Sequence, residues 1–252
     1  MRLAGKRALM IGAATGIGRA AAVEFVANGA SVVIADINLA AAEETVGSIS
    51  KRDSHLSAVK CDVRDENSVR DTVAEADKRM GGIDTLVFLA GLQKLGYAQE
   101  FSCDDWDAVF DVNARGTFFA TKHAVPFMRN AGGGSIITTS SLAGLRGAPG
   151  MTGYAAAKGA VIAYTVALAQ ELAPDNIRVN SVLPGWIDTP FNTPAIALMG
   201  GEKAHGEVVK RIVPLGRQGT PEEVAPIYVF LASEESRYIT AKQMMVDGGM
   251  AH

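Results

Sequence analysis

Apolar positions along the chain fall into two alternating kinds of run. Short, nearly uninterrupted runs occur at Ala8-Leu9-Met10-Ile11 and over 31–35, 56–61, 83–89, 135–139, 178–183 and 243–246. Between them lie longer stretches with apolar residues at helical spacing: Ala21, Phe25 and Val26 after Gly18, then 39–50, 66–80, 104–130, 152–173 and 221–233. Uninterrupted apolar strands suit a sheet buried on both faces. Strands that alternate with helices make that sheet parallel. The pattern predicts one α/β domain over 1–252, a doubly wound parallel sheet of about seven strands with helices on both faces.

Local signals sharpen several elements. Ser102, with Asp105 three residues on, is a cap for the long helix 104–130, which carries Trp106, Val109, Phe110 and Phe118. Thr220, Pro221 and Glu223 form a capping-box start for the helix at 221. Residues 186–218 show no strand pattern, several Pro and Gly, and one short helix candidate. Such an irregular insertion predicts a substrate-binding loop.

Composition narrows the function. The 252 residues are 48% hydrophobic with a net charge of −3 and no Lys/Arg run longer than two, which argues against nucleic-acid or anionic-membrane partners. Two cysteines, Cys61 and Cys103, suit a reducing compartment. His55, His123, His205 and His252 lack metal-ligand spacing, so no metal is expected. Arg2, Lys6 and Arg7 ahead of an apolar run have the look of a leader, but Gly12, Gly16 and Gly18 break that run and read as fold. The expected location is cytoplasmic.

The chemistry-bearing residues fall at strand ends, where ligands bind in open parallel sheets. Gly12, Gly16 and Gly18 follow the first strand and let backbone N–H groups approach a pyrophosphate at a helix N-terminus. Asp36 ends the second strand, 18 positions past Gly18. A carboxylate there accepts from both ribose hydroxyls of NAD and repels the 2′-phosphate of NADP, and neither Thr15 nor Ile37 is basic. The expected cofactor is therefore NAD. Asp62-Val63, Ala90-Gly91 and Ser140-Ser141 end the next three strands.

Tyr154 and Lys158 lie one turn apart on one face of the helix at 152–173. A free tyrosine titrates near ~10, and using it as a base near pH 7 needs about 3–4 kcal/mol of stabilisation from positive charge. Lys158 is placed to supply part of it.

With these motifs in order, the chain resembles the short-chain dehydrogenase/reductase family over essentially its full length. The motifs are Gly12-x-x-x-Gly16-Ile17-Gly18, Asp62-Val63, Ala90-Gly91, Asn113, Ser141, Tyr154-x-x-x-Lys158, Pro184-Gly185 and Asp247-Gly248-Gly249. The resemblance implies a Rossmann fold and NAD(H)-linked interconversion of a secondary alcohol and a ketone. It makes Tyr154 the general acid/base, Lys158 its pKa-lowering partner and ribose ligand, Ser141 the substrate-oxygen ligand, and Asn113 the anchor of a proton relay. It places Asp62 and Val63 at the adenine, and Pro184, Gly185, Ile187 and Thr189 beside the nicotinamide. It also implies a homotetramer built on helices 104–130 and 152–173 and the last strand. Gln93 and Trp186 are the leading substrate contacts, joined by Leu142, Ala148 and the 191–211 loop. Two departures are Phe88 and Leu89, where the family usually has asparagines, and Ala241 in place of a glycine. Alternative readings are an NADPH-linked 3-oxoacyl-carrier-protein reductase and a silent NAD-binding scaffold.

Overall fold

The computed structural model describes residues 1–49 and 56–251. Seven strands form one sheet: β1 (Arg7–Ile11), β2 (Ser31–Asp36), β3 (Leu56–Lys60), β4 (Thr85–Phe88), β5 (Gly134–Thr139), β6 (Ile177–Pro184) and β7 (Gln243–Val246). Their order is β3-β2-β1-β4-β5-β6-β7 and every neighbouring pair is parallel. The single doubly wound α/β domain expected from the sequence is what the chain forms.

The period of two along each strand divides the core. Ala8 and Met10 of β1 face one layer, where α1 (Gly16–Ala27) and α10 (Pro221–Ala232) pack through Ala21, Phe25, Val224 and Tyr228. Leu9 and Ile11 face the other, where α3 (Glu66–Met80), α5 (Gly116–Asn130) and α7 (Thr152–Leu172) pack through Val69, Val73, Ala120, Met128 and Leu168. The chain runs outward from β1 through β2 and β3, then returns to add β4 on the opposite side of β1. That reversal opens a crevice beyond the carboxyl ends of β1 and β4.

Helix α2 (Leu39–Ile49) matches its expected span up to residue 49; the predicted last residue, Ser50, lies outside the described residues, as do His55 and His252. Helix α3 has the expected bounds, with the Asp65 side chain accepting from the Asn67 N–H. The Ser102 cap forms, accepting from the Asp105 N–H at 3.0 Å. At Thr220 the capping box closes both ways, the Thr220 N–H donating to Glu223 and the Glu223 N–H to the Thr220 hydroxyl.

Three expectations are corrected. The predicted helix 104–130 is α4 (Cys103–Phe110) and α5, joined by a π-turn at Asp111–Arg115. Asn113 explains the interruption: its side-chain amide donates to the Val109 carbonyl at 2.8 Å, the acceptor that its own backbone N–H would use in an α-helix. Residues 186–218 are also more ordered than an irregular loop: the one expected short helix forms as α9 (Glu202–Ile212), and α8 (Thr193–Leu198) precedes it, where no helix was expected. Finally, α6 (Ala143–Arg146) follows the two serines, where no helix was expected. Ala241 keeps the glycine-like turn, with φ +59° and its N–H donated to Val179.

Candidate active site

Glycines make the floor of the crevice possible. Gly12 has φ +82°, and a Cβ there would stand 2.3 Å from the Ala90 nitrogen. A Cβ on Gly18 would meet the Gly12 carbonyl at 2.5 Å, so the start of α1 can sit on β1 only without one. The first turn of α1 has no side-chain cap and no acidic residue. Its N–H groups and the positive end of its dipole face an open cleft, as a pyrophosphate requires. The residues present therefore fit a dinucleotide.

The cleft has a volume of about 1500 Å³. Gly12, Thr15, Gly16, Ile17, Gly18, Asp36, Ile37, Asp62, Val63, Ala90, Gly91, Ser141, Tyr154, Lys158, Pro184, Gly185, Ile187 and Thr189 all line it, with Gln93 and Trp186. Asn113 is the one predicted site residue that does not. It is fully buried behind the wall, donating to the Leu92 carbonyl at 2.8 Å and accepting from the Leu92 N–H at 3.4 Å. It holds the loop after β4 rather than facing solvent.

Asp36 accepts from the Ala14 N–H at 3.1 Å through one oxygen and from the Asn38 N–H at 3.0 Å through the other. Each carboxylate oxygen keeps a lone pair for a further donor. Asp62 is engaged by Arg64 through two guanidinium bonds of 3.0 and 2.7 Å, which hold its carboxyl below the usual range. Arg64 also lines the cleft. Phe88 and Leu89 pack into opposite layers of the core. The turn they occupy is tied by backbone alone, the Leu89 and Ala90 N–H groups both donating to the Ile11 carbonyl at 2.7 and 3.0 Å.

The two serines separate cleanly. Ser140 is buried and donates to the Lys158 carbonyl at 2.8 Å, joining β5 to α7. Ser141 accepts from the Ala143 N–H at 3.1 Å and hydrogen-bonds the Tyr154 phenol. Lys158 is buried, its ammonium donating to the Thr139 carbonyl at 2.9 Å and lying 5.8 Å from the Tyr154 ring centre. A Cβ on Gly91 would come within 3.3 Å of Asn113 Oδ1 and 3.6 Å of Lys158 Nζ, so the loop after β4 closes tightly over this centre.

Burial governs the titration here. It pushes the Tyr154 phenol up to about 12, with the Ser141 bond pulling the other way, and pulls Lys158 down to about 7. The lowering by Lys158 is expected together with the positive nicotinamide ring; in the cofactor-free cleft burial dominates. At neutral pH the phenol is held as the acid, and its ionisation needs positive charge brought into the cleft.

Residues 12–251 match a family model described as enoyl-(acyl carrier protein) reductase. A 3-oxoacyl-(acyl-carrier-protein) reductase, FabG, from Thermotoga maritima is 40% identical, the match covering 99% of this chain and 99% of that one. The chain belongs to the short-chain dehydrogenase/reductase family. It is an oxidoreductase of that family, whose members use a nicotinamide cofactor. A cyclohexanol dehydrogenase from Acinetobacter sp. (strain SE19) is 38% identical over 96% of this chain and 94% of its own length. The crystal structure of a short-chain type dehydrogenase/reductase from Mycobacterium marinum superimposes with a TM-score of 0.92 at 34% identity, covering 98% of this chain and 96% of that one.

Sequence reasoning within the family pattern missed three groups that build the centre. Thr139 holds Lys158 through its carbonyl, and Leu92 holds Asn113 through both backbone groups. Backbone partners leave no side-chain signal. Arg64, two positions past Asp62, was findable as the cation beside a carboxylate at the cleft edge. Trp186 meets the cleft but also packs edge-on against His205 of α9, with ring centres 4.9 Å apart. Among the described residues no three His, Cys, Asp or Glu side chains cluster to hold a metal, and no helix is long and apolar enough to cross a membrane.

Proposed function

We propose that this chain transfers a hydride between NAD(H) and a secondary alcohol or ketone, with Tyr154 as general acid/base. The observation that carries this reading is the convergence of the Tyr154 phenol, the Ser141 hydroxyl and the Lys158 ammonium at one end of a dinucleotide-sized cleft. Such a site offers a proton and a hydrogen bond to one substrate oxygen. Bound nicotinamide supplies the hydride donor or acceptor and, when oxidised, a positive charge.

Each residue has a distinct task. Ser141 orients the substrate oxygen against the phenol. Tyr154 gives that oxygen a proton in reduction and removes one in oxidation. Lys158, at about 7, carries its charge part of the time near neutral pH and holds it beside the phenol. Asn113 acts through the loop that it positions. Gly12, Thr15, Gly16, Ile17 and Gly18 hold the pyrophosphate, and Asp36 with Ile37 the adenosine ribose. Asp62 and Val63 border the adenine. Ala90, Gly91, Pro184, Gly185, Ile187 and Thr189 border the nicotinamide half, while Gln93 and Trp186 face the substrate. NAD preference is supported by the Asp36 carboxylate and by the engagement of Arg64, a cation at the same edge, with Asp62. We also place the enzyme in the cytoplasm as a homotetramer, in keeping with half-exposed Trp106 on α4 and Phe118 on α5.

A second reading, a 3-oxoacyl-thioester reductase using NADPH, is favoured by the FabG relative. A panel of secondary alcohols and ketones, together with acetoacetyl thioesters, assayed with each cofactor separates the two. The proposal expects alcohol oxidation with NAD at a kcat/KM at least tenfold above that with NADP. Thioester reduction with NADPH alone would replace it, and tight NAD binding without turnover of any compound would make the chain a silent binder.

A further inference from the structure

Two arginines on the cleft wall have no part in the reaction at Tyr154. Arg146 closes α6, just past Ser141, and Arg211 stands in the last turn of α9. Both line the cleft, and neither meets a carboxylate among the described residues. Arg64, the other arginine of the cleft, is matched by Asp62. For Arg211 the lack of a partner is informative. Glu207 lies four residues earlier, the order that favours a helical ion pair, yet that pair does not form. Val208, Arg211 and Ile212 all line the cleft, so one stripe of α9 faces it and Arg211 belongs to that stripe.

The end of the chain draws the two arginines to one side. Arg146 donates through Nη1 to the Met250 carbonyl, and Met250 lines the cleft as well. The residues before Met250 lie against the segment that leaves α9. The Leu215 N–H donates to the Gly248 carbonyl at 3.2 Å, and a Cβ on Gly249 would come within 3.1 Å of Pro214. This is the half of the sheet that holds β5, β6 and β7. The carboxylates that line the cleft, Asp36 and Asp62, stand at the ends of β2 and β3 in the other half. A chain of net charge −3 thus presents cations without counter-charge at one end of its cleft, where they attract an anion.

The surroundings define what carries that anion. The wall of this half is otherwise largely apolar, through Leu142, Met151, Phe191, Leu198 and Val208. A matching molecule has an apolar body and one anionic end. A guanidinium offers a planar fork of N–H donors, and the bond to Met250 leaves most of that of Arg146 open. Reach limits the body. The Cα atoms of Ser141 and Arg146 are at most about 10 Å apart, one residue and one helical turn.

We propose that Arg146 and Arg211 bind an anionic group, a carboxylate or a phosphate, at the end of the substrate away from the reacting carbon. The preferred substrates are then hydroxy or oxo acids, or their phosphate counterparts, rather than neutral alcohols. The inference rests on the hydride-transfer reading above and names its substrate class.

The test compares kcat/KM for 3-hydroxybutyrate, 4-hydroxypentanoate, 5-hydroxyhexanoate and 7-hydroxyoctanoate with their methyl esters, and for 5-hydroxyhexyl phosphate with 1,5-hexanediol. Each pair is assayed in the wild-type enzyme, in Arg146→Gln and in Arg211→Gln. At least one anion should exceed its neutral partner by about tenfold or more, and that ratio should fall by about fivefold or more in each variant. The carboxylate and phosphate pairs tell which anion the site takes. A ratio under tenfold in every pair, or a smaller fall in either folded variant, overturns the proposal. Arg146→Gln also loses the bond to Met250, and thermal melting reports whether it folds. If it does not, Arg211→Gln decides, because that side chain bonds no described residue. Turnover of the neutral partners without an anion preference sinks the role of the arginines alone, whereas no turnover here or in the panel above sinks the hydride-transfer reading with it.

Discussion

Replacing Lys158 with methionine should make the unliganded protein more stable at neutral pH and less so, relative to wild type, as the pH rises. The residue is 3% exposed and its ammonium bonds the Thr139 carbonyl, with no carboxylate partner among the described residues. Burial lowers its pKa from 10.5 to about 7. That gap corresponds to about 5 kcal/mol against the charged form. Below pH 7 the lysine is protonated in both folded and unfolded chains, and the full penalty opposes folding. Between 7 and 10.5 the unfolded chain binds the extra proton, so stability rises by about 1.4 kcal/mol per pH unit. From pH 7 to 9 the rise is roughly 2–3 kcal/mol, or about 5–10 °C in Tm for a domain of this size. Methionine has similar length and does not titrate. The assay is the difference in Tm between wild type and Lys158→Met at pH 6, 7, 8 and 9 without cofactor, in which other titrations cancel. Tyr154, at about 12, does not enter this range. The advantage of the variant should shrink by 5–10 °C between pH 7 and 9. A difference that stays flat with pH would refute the buried, uncompensated ammonium.

Asp36→Ala should lower kcat/KM for NAD and raise the NADP-to-NAD ratio at least tenfold, measured by initial rates; an unmoved ratio would remove Asp36 from cofactor choice. The paired serines should part company. Ser140→Ala loses the bond to the Lys158 carbonyl and should cost about 1 kcal/mol, read as a fall of about 2–4 °C in Tm. Ser141→Ala also loses a bond, from the Ala143 N–H, and should lower Tm by a similar amount, about 2–4 °C, but it alone should lower kcat about a hundredfold, the usual scale for one oxygen ligand of a reacting centre.

Much of the fold was legible because local rules and burial agree. The alternation of apolar strands with amphipathic helices, the Thr220 box and the Ser102 cap each carry their cause in the residues themselves. The cleft was legible too, since parallel sheets bring strand ends together and the predicted motifs sit at those ends. Most of what escaped depends on contacts between distant parts. Asn113 sits in a sequence of ordinary helical composition, and only its reach to Val109 and to the Leu92 backbone breaks the helix. Helix α8 spans six residues, too short to show a helical period in the sequence. The direction of the Tyr154 shift was hidden because it depends on burial. A lysine one turn away suggests a lowered phenol once the nicotinamide adds its charge, whereas burial of the phenol in the cofactor-free cleft pushes it up.

The central claim is that Tyr154 moves the proton at the reacting oxygen. Tyr154→Phe keeps the ring, its packing 6.1 Å from Phe191 and the cleft around it, and removes only the phenolic oxygen. The most direct measurement is NADH formation from a turned-over secondary alcohol by this variant, alongside NADH binding by fluorescence titration. The account predicts a loss of at least a thousandfold in kcat with cofactor affinity within about twofold of wild type. Turnover within tenfold of wild type would contradict it.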